Sequence, residues 1–159
     1  MSLLPFFQWC ETTLVGQTIR ESLWLFPVIE ALHLVAFAVL GGTVLVVDLR
    51  LLGFLFRSQP VARLAGNVFP WQRRSLAVAL ASGVLLFLSE SMKLYYSDPF
   101  WVKITCLALA IAFQFTVRLR VTMAEEGTMR PLFRRLAALV SLALWSGVAW
   151  GGRWIGFSG

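Results

Sequence analysis

The chain has 159 residues, of which 58% are hydrophobic and only 14% are charged. Average soluble domains are about 45–50% apolar and about 25% charged. The composition therefore argues against a soluble globular enzyme, a disordered chain and a nucleic-acid-binding domain. The net charge of +6 is expected to report orientation in a lipid bilayer, and no nucleic-acid partner is predicted.

The counts of two residue types limit the chemistry further. The two cysteines, Cys10 and Cys106, lie far apart and form no CxxC pair, which excludes a disulfide scaffold and a cysteine zinc site. The one histidine, His33, excludes a haem that is held by two histidines of the same chain.

The N-terminal segment is not a usual secretory signal peptide, because it lacks a basic start and its apolar run is short and broken. Its apolar side chains instead predict an amphipathic helix that lies in the outer membrane interface. These side chains are Phe6, Phe7, Trp9 and Leu14.

Four apolar runs follow, each near the roughly 20 residues that a membrane-spanning helix needs. They cover about 22–47, 75–96, 100–117 and 136–155. No linker or repeat divides the chain, so we predict one transmembrane domain over 1–159. The predicted fold class is all-α, an integral membrane four-helix bundle with an N-terminal interfacial amphipathic helix. A short interfacial helix is also predicted between 58 and 71, with Pro60 in its first turn.

The basic residues predict which side of the membrane each segment faces. Ten of the fourteen lie in the two segments that join the first span to the second and the third span to the fourth. The positive-inside rule then places both segments in the cytoplasm and both termini in the periplasm of a bacterial inner membrane. In this interpretation Arg118 belongs to the second cytoplasmic segment, and Asp48 and Arg50 are interfacial anchors.

Ionisable residues inside the predicted spans are costly to bury in lipid and are therefore candidate site residues. Glu30 and His33 are three residues apart and share a helix face, with His33 close to the membrane midplane. Glu90, Lys103 and Arg153 bring further charged groups to the outer half of the same bundle.

This set suits haem binding. The imidazole of His33 is a suitable ligand for haem iron, and Glu30 is placed to orient its second ring nitrogen. Lys103 and Arg153 are then expected to pair with the haem propionates near the outer surface.

Two metal sites and a structural role are the alternatives. Glu30-x-x-His33 has the spacing of carboxylate-bridged di-metal bundles, in which Glu90 supplies another carboxylate. Copper is the second metal, with His33, Met92 and Cys106 as ligands. The third alternative is a non-catalytic accessory or structural membrane subunit, in which Glu30 and His33 form a packing pair.

Four stretches resemble an uncharacterised bacterial family of small four-span membrane proteins, and the resemblance covers the chain from Glu21 to Phe157. They are WLFPVIEALH over 24–33, VDLRLLG over 47–53, DPFWVK over 98–103 and GRWIGF over 152–157. More distantly, Ala-Leu-His in the first span and Trp-x-Lys in the third are similar to two haem-linked groups. These are the membrane protoporphyrinogen oxidase of haem synthesis and the copper-resistance D-type membrane proteins.

The distant resemblance implies heme b as the cofactor, with His33 and Lys103 at positions that matter for haem binding and activity in the oxidase. A further histidine of the oxidase is replaced here by Gln114. The implied haem is therefore five-coordinate, has a non-histidine second ligand, or is shared by two copies of His33 in a homodimer. The leading hypothesis is a b-type-cytochrome-like redox or haem-related protein, alone or in a larger membrane complex.

Overall fold

A computed structural model describes residues 3–56, 58–124 and 128–157. Within these ranges every regular element is a helix and no strand occurs, which confirms the all-α prediction. The elements are α1 (Leu4–Glu11), α2 (Leu14–Glu21), α3 (Leu25–Leu52), α4 (Val61–Ser89), α5 (Ser91–Tyr95), α6 (Asp98–Phe113), a π-helix (Gln114–Arg118), α7 (Leu119–Met123) and α8 (Pro131–Ile155).

Three helices are long and apolar enough to cross a membrane. They are α3, the continuous helix over Asp98–Met123 that contains α6, the π-helix and α7, and α8. With these helices the chain is a membrane protein whose apolar helix surfaces contact lipid. We call the end of the structure where α3 begins and α8 ends the terminal end, and the opposite end the loop end.

The helix α4 is equally long but differs in composition. It runs without a break from Val61 to Ser89, so the short interfacial helix and the second span that were predicted separately form one helix. Its first half carries Arg63, Arg73 and Arg74, and its apolar run begins only at residue 75. The helix α4 ends at Ser89, whereas the second span was predicted to continue to Tyr96. The short helix α5 follows.

The four long helices share one interior, which holds two apolar clusters that each contain residues from all four. The first lies toward the loop end and includes Val47, Leu51, Val61, Ala65, Val121, Ala137 and Ala138. The second lies nearer the terminal end and includes Leu40, Val44, Leu76, Ala110, Trp145 and Val148. Interleaved apolar side chains thus hold each helix against its neighbours.

Glycines bring α6 and α8 close together. A Cβ atom on Gly147 would lie 2.6 Å from Cys106 Sγ, and one on Gly151 would lie 2.8 Å from the carbonyl oxygen of Pro99. Small residues at such positions let membrane helices approach closely. Cys106 therefore has a packing role in this contact.

The N-terminal segment forms two short helices, α1 and α2, where one amphipathic helix was predicted. Phe7 of α1 is buried among aromatic rings at the terminal end, with centroids 5.2 Å from Phe87 and 5.1 Å from Tyr95. The Ser91 hydroxyl donates a hydrogen bond of 2.9 Å to the Phe7 carbonyl oxygen. This face of α1 is therefore part of the protein core, whereas Phe6 is exposed.

Candidate functional site

His33 of α3 and Lys103 of α6 line one pocket near the terminal end. The rest of its wall is apolar and includes Leu76 from α4 and Val148 from α8. The pocket leaves about 20 Å³ for the centre of a water molecule, which is room for about one water. The structure thus brings together two of the residues that the sequence analysis selected.

The imidazole of His33 is oriented by a serine. Its Nδ1 atom lies 3.0 Å from Ser82 Oγ on α4. The same hydroxyl is placed to donate to the carbonyl oxygen of Val78 at 2.7 Å, which leaves it an acceptor for Nδ1–H. When the imidazole is neutral, Nε2 then carries the lone pair that accepts a proton or binds a metal ion.

Glu30 lies apart from this hydrogen bond. Its side chain is exposed, and among the described residues it makes no hydrogen bond or ion pair. Ser82 therefore takes the partner position for the His33 ring that the sequence analysis gave to Glu30.

Arg153 and Glu90 also lie outside the His33 pocket. Arg153 is exposed on α8, with its guanidinium carbon 4.6 Å from the centre of the Phe157 ring. Glu90 lies 4.0 Å from Lys93 at the end of α4, about 12 Å along the chain from Ser82.

A second group of polar side chains is buried toward the loop end, and we call it the buried polar network. Arg118 donates to Asp48 Oδ1 at 2.8 Å, to Gln114 Oε1 at 2.9 Å and to the Val44 carbonyl at 3.1 Å. Gln114 Nε2 in turn donates to Gln72 Oε1 at 3.1 Å. All four polar side chains are at least nine-tenths buried.

This network corrects two sequence-based assignments. Asp48 is fully buried, so it is not an interfacial anchor, and Arg118 lies in the interior instead of a cytoplasmic loop. Gln114 lies about 16 Å along the helix from Lys103 and is not among the residues that line the His33 pocket. Opposite charges on neighbouring helices satisfy each other here, and this pairing permits both to be buried.

The π-helix carries two members of the network, Gln114 and Arg118. Single π turns are rare in proteins and occur frequently at functional sites. Both side chains point into the interior from this turn, where they meet α3 and α4. The irregular turn therefore belongs to the site.

Gln72 Nε2 has no hydrogen-bond partner among the described residues, whereas the Ser141 hydroxyl lies beside the Asp48 carboxylate. An unpaired buried polar atom costs about 1–3 kcal/mol, and internal water molecules usually remove that cost. A small cavity lined by Gln72 and Gln114 leaves about 10 Å³ for a water centre, at the lower limit for one molecule. The accessible surface of this cavity is apolar, and Gln72 is the residue with an unpaired atom that lines it.

Each polar region borders a small cavity, and the two cavities share wall residues. Leu40 of α3 and Leu76 of α4 line both the His33 pocket and the cavity beside Gln72 and Gln114. Ser82 and Gln72 are ten residues apart on α4, about 15 Å. A pair of leucines therefore forms the partition between two water-sized spaces.

The described residues do not form a site for a metal ion or for a porphyrin within one copy. No group of three His, Cys, Asp or Glu side chains is close enough to hold a metal ion in the part of the chain that the structure describes. Pockets for cofactor-sized ligands occupy about 300–1,000 Å³, whereas the His33 pocket holds about one water. The space at the His33 pocket is therefore smaller than a porphyrin.

These features define a helical membrane protein with ionisable groups buried between its helices. The chain belongs to a family of unknown function, DUF6644, whose model matches residues 6–158. No curated protein and no solved structure matches the chain.

Sequence reasoning missed Ser82, Gln72 and the Asp48–Arg118 pair. One signal was available for the pair: Asp48 and Arg118 each fall one residue beyond a predicted span, at the same end of the bundle. Ser82 and Gln72 carry no such signal, because a single serine or glutamine in a helix says nothing about its partner.

Proposed function

We propose that the chain is a proton-handling membrane protein, in which protons pass between the His33 pocket and the buried polar network. One observation carries this proposal: His33 and Lys103 line one small cavity, Gln72 and Gln114 of the buried polar network line another, and Leu40 and Leu76 lie in the walls of both. Ionisable side chains inside membrane helices often mark proton relays in pumps and transporters.

The chemistry of each end suits this role. At the terminal end, a neutral His33 takes up a proton from water at Nε2 and returns it from the same atom to water in the pocket, while its Nδ1–H stays hydrogen-bonded to Ser82. The hydrogen bond that joins these groups is 3.0 Å long. At the other end, Asp48 is the carboxylate that accepts a proton, with the Ser141 hydroxyl beside it.

Two neighbouring features control the path. The charge of Arg118, 2.8 Å from Asp48, favours the ionised carboxylate, so Asp48 takes up a proton only when this pair separates. Leu40 and Leu76 exclude water between the cavities until they move apart, as hydrophobic constrictions do in channels.

The same proposal includes a membrane arrangement. In it, α4 is a fourth span, the loop end lies in the cytoplasm of a bacterial inner membrane, and both termini lie in the periplasm. Its support is that α4 packs into both apolar clusters with the three apolar helices, and that most of the arginines lie toward the loop end.

Proton flux into liposomes tests the function. We expect the purified protein to acidify vesicles that contain a pH-sensitive dye when a potassium diffusion potential drives protons inward. His33→Phe and Gln114→Leu are each expected to slow the flux by at least about tenfold, because each removes a hydrogen-bonding group from the path. Leu34→Phe is the matched control, since Leu34 lies on the same turn as His33 and is exposed.

Two results would overturn this function. One is a wild-type rate equal to that of protein-free vesicles. The other is a rate that neither His33→Phe nor Gln114→Leu lowers below that of the control variant.

Haem shared by two copies is the second candidate. His33 and Lys103, the two residues that the haem-linked resemblance selects, line the same pocket. Since the His33 pocket of one copy is smaller than a porphyrin, this candidate requires a homodimer with His33 from each copy. It predicts a Soret band in protein purified from haem-replete cells, and loss of that band in His33→Phe.

Elemental analysis of the same samples tests copper and di-metal sites, which predict bound metal without porphyrin. If the protein shows no cofactor and no proton flux, the remaining candidate is an accessory or structural subunit of a larger membrane complex.

A further inference from the structure

A cleft lies between α4 and the helix formed by α6 and the π-helix. α4 packs mainly on α3, and α6 packs mainly on α8, so α4 and α6 have little direct contact. The His33 pocket and the cavity beside Gln72 and Gln114 both lie between them, because each has walls from α4 and from the facing helix. The two cavities follow one another along this cleft, with Leu76 in the walls of both.

A row of side chains at helical spacing lines each edge of the cleft. The row on α4 runs from residue 69 to residue 80, and the row on the facing helix runs from residue 103 to residue 115. Each row is therefore about 17 Å long. One leaflet is half of the roughly 30 Å hydrocarbon core of a bilayer, so the cleft has about the length of an acyl chain. The rows consist of Phe69, Arg73, Leu76 and Leu80, and of Lys103, Leu107, Ile111 and Phe115.

The cleft reaches the surface of the bundle. Arg73 and Phe115 are exposed toward the loop end, and Leu80 is exposed further along. The accessible surface of both cavities is apolar. Exposed apolar strips on a protein often mark places where a ligand or a lipid binds. A hydrocarbon chain from the bilayer suits a narrow apolar cleft of this length.

The guanidinium of Arg73 lies beside the cleft. Its central carbon is 5.8 Å from the centre of the Phe69 ring, which lines the same cavity. Within the described ranges of the chain no carboxylate pairs with Arg73.

This arginine also lies deep in the bundle. Arg73 follows Gln72, which is hydrogen-bonded to Gln114 on the facing helix. The exposed Arg120 lies six residues beyond Gln114, about 9 Å nearer the loop end. A charge deeper than its neighbours in a membrane protein is costly unless an opposite charge meets it. The molecule that fits this position carries an anion and an apolar chain.

We propose that the cleft binds an anionic phospholipid, with its phosphate on Arg73 and one acyl chain along the cleft toward Leu80. A guanidinium donates two parallel hydrogen bonds to a phosphate. The neighbouring Arg74 adds positive charge at the same depth, which attracts an anionic head group and repels the cation of a zwitterionic one. Basic pockets between membrane helices on the cytoplasmic side bind anionic lipids in this way. The inference rests on the proposed membrane arrangement, in which α4 is a span, but not on proton transfer.

Thermal unfolding in detergent with added lipid tests the site. We expect phosphatidylglycerol to raise the unfolding midpoint by about 3–6 °C at ten times its Kd. Phosphatidylcholine with the same acyl chains is expected to raise it by less than half as much. Arg73→Gln abolishes this difference between the lipids. Arg74→Gln is the matched control and keeps the difference, since Arg74 is exposed at the same depth but does not line the cleft.

Two tryptophan variants test the position of the acyl chain. Ile111→Trp fills the cleft and is expected to remove the preference for phosphatidylglycerol. Leu109→Trp places the same side chain on the exposed face of α6 and keeps the preference. Soluble glycerol 3-phosphate identifies the source of the phosphate. A lipid site predicts no shift with this compound, because the acyl chains are missing.

Four results would each overturn the proposal. They are equal shifts for the two lipids, equal losses in Arg73→Gln and Arg74→Gln, a preference that survives in Ile111→Trp, and a full shift with glycerol 3-phosphate. Accessibility of single cysteines at the two ends of the bundle tests the membrane arrangement separately, so failure of the lipid site is distinguished from failure of that arrangement.

Discussion

At the scale of single residues, the ion pair between Arg118 and Asp48 has the largest energetic consequence in the bundle. Their side chains are 3% and 0% exposed, so neither charge is solvated by water. Removal of one partner from a buried pair costs about 3–5 kcal/mol, because the remaining charge stays buried without compensation. Replacement of both residues by apolar residues costs far less, because no charge then remains buried without a partner.

A double-mutant cycle measures this dependence. We expect Arg118→Met alone to lower the free energy of unfolding by about 3–5 kcal/mol, and Asp48→Leu in the same background to recover most of the loss. The measurement is denaturant unfolding in detergent, with exposed Arg120→Met as the control. If Arg118→Met were as stable as Arg120→Met, the two charges of the pair would not be buried together.

Cys10 gives a prediction about pH at the same scale. Burial raises the pKa of the Cys10 thiol above its ordinary value, so the neutral thiol persists in the folded protein. We expect slow maleimide labelling of Cys10 at neutral pH, with a rate that rises only in alkaline solution. Exposed Thr12→Cys, with both native cysteines replaced by alanine, should label rapidly at neutral pH.

The raised pKa of Cys10 also fixes the sign of a stability effect. The unfolded chain loses this proton at a lower pH than the folded chain. The contribution of Cys10 to stability is therefore complete below the ordinary thiol pKa and is lost as pH rises toward the folded value. A labelling rate for Cys10 that equals that of Thr12→Cys at neutral pH would contradict its burial.

At the scale of elements, the approach of α6 to α8 depends on glycine. A Cβ atom on Gly151 would lie 2.8 Å from the Pro99 carbonyl oxygen and 3.0 Å from the Lys103 backbone nitrogen. Backbone atoms cannot rotate away as a side chain does, so any larger residue must push the helices apart. Gly66 on α4, by contrast, has nothing within 4 Å of its Cβ position.

This difference predicts opposite effects of the same substitution. Gly151→Ala should lower the free energy of unfolding by about 1–3 kcal/mol through overpacking. Gly66→Ala should raise it by about 0.5–1 kcal/mol, because alanine loses less backbone entropy in a helix. Thermal unfolding of both variants checks the signs, and stabilisation by Gly151→Ala would refute the close contact.

The elements also show where sequence reasoning succeeds. Long apolar runs predicted α3, the third long helix and α8, because hydropathy reports directly on helices that contact lipid. The same reasoning could not join the two halves of α4, since Pro70 and the arginines in its first half look like a boundary. Nor did it predict the π-helix at Gln114, whose extra residue per turn leaves no pattern in one sequence.

At the scale of the whole molecule, the proposed topology makes a direct prediction. Single cysteines at Thr12 and Tyr96 should react with a membrane-impermeant maleimide added to intact spheroplasts. Cysteines at Ser58 and Thr128 should react only after the membrane is permeabilised. We expect this difference because the loop-end segments carry most of the basic residues, and basic segments stay in the cytoplasm. The opposite pattern, or one accessible residue in each pair, would refute an arrangement of four spans with periplasmic termini.

The whole molecule also explains the partial success of the site prediction. His33 and Lys103 were selected because intramembrane charges are rare, and both line one pocket. Glu30 and Arg153 were selected on the same ground but are exposed at the bundle surface. A sequence reports the depth of a residue in the membrane, whereas the helix packing decides whether it faces lipid or its neighbours.

The proposed proton path depends most on Leu40 and Leu76, the residues that line both cavities. The most direct test of the path is the rate of proton uptake by liposomes that contain Leu76→Ala protein. Because the smaller side chain joins the two cavities, we predict an uptake at least about threefold faster than that of the wild type, and loss of this gain when His33→Phe is added. An uptake rate unchanged by Leu76→Ala would contradict a path through the bundle interior.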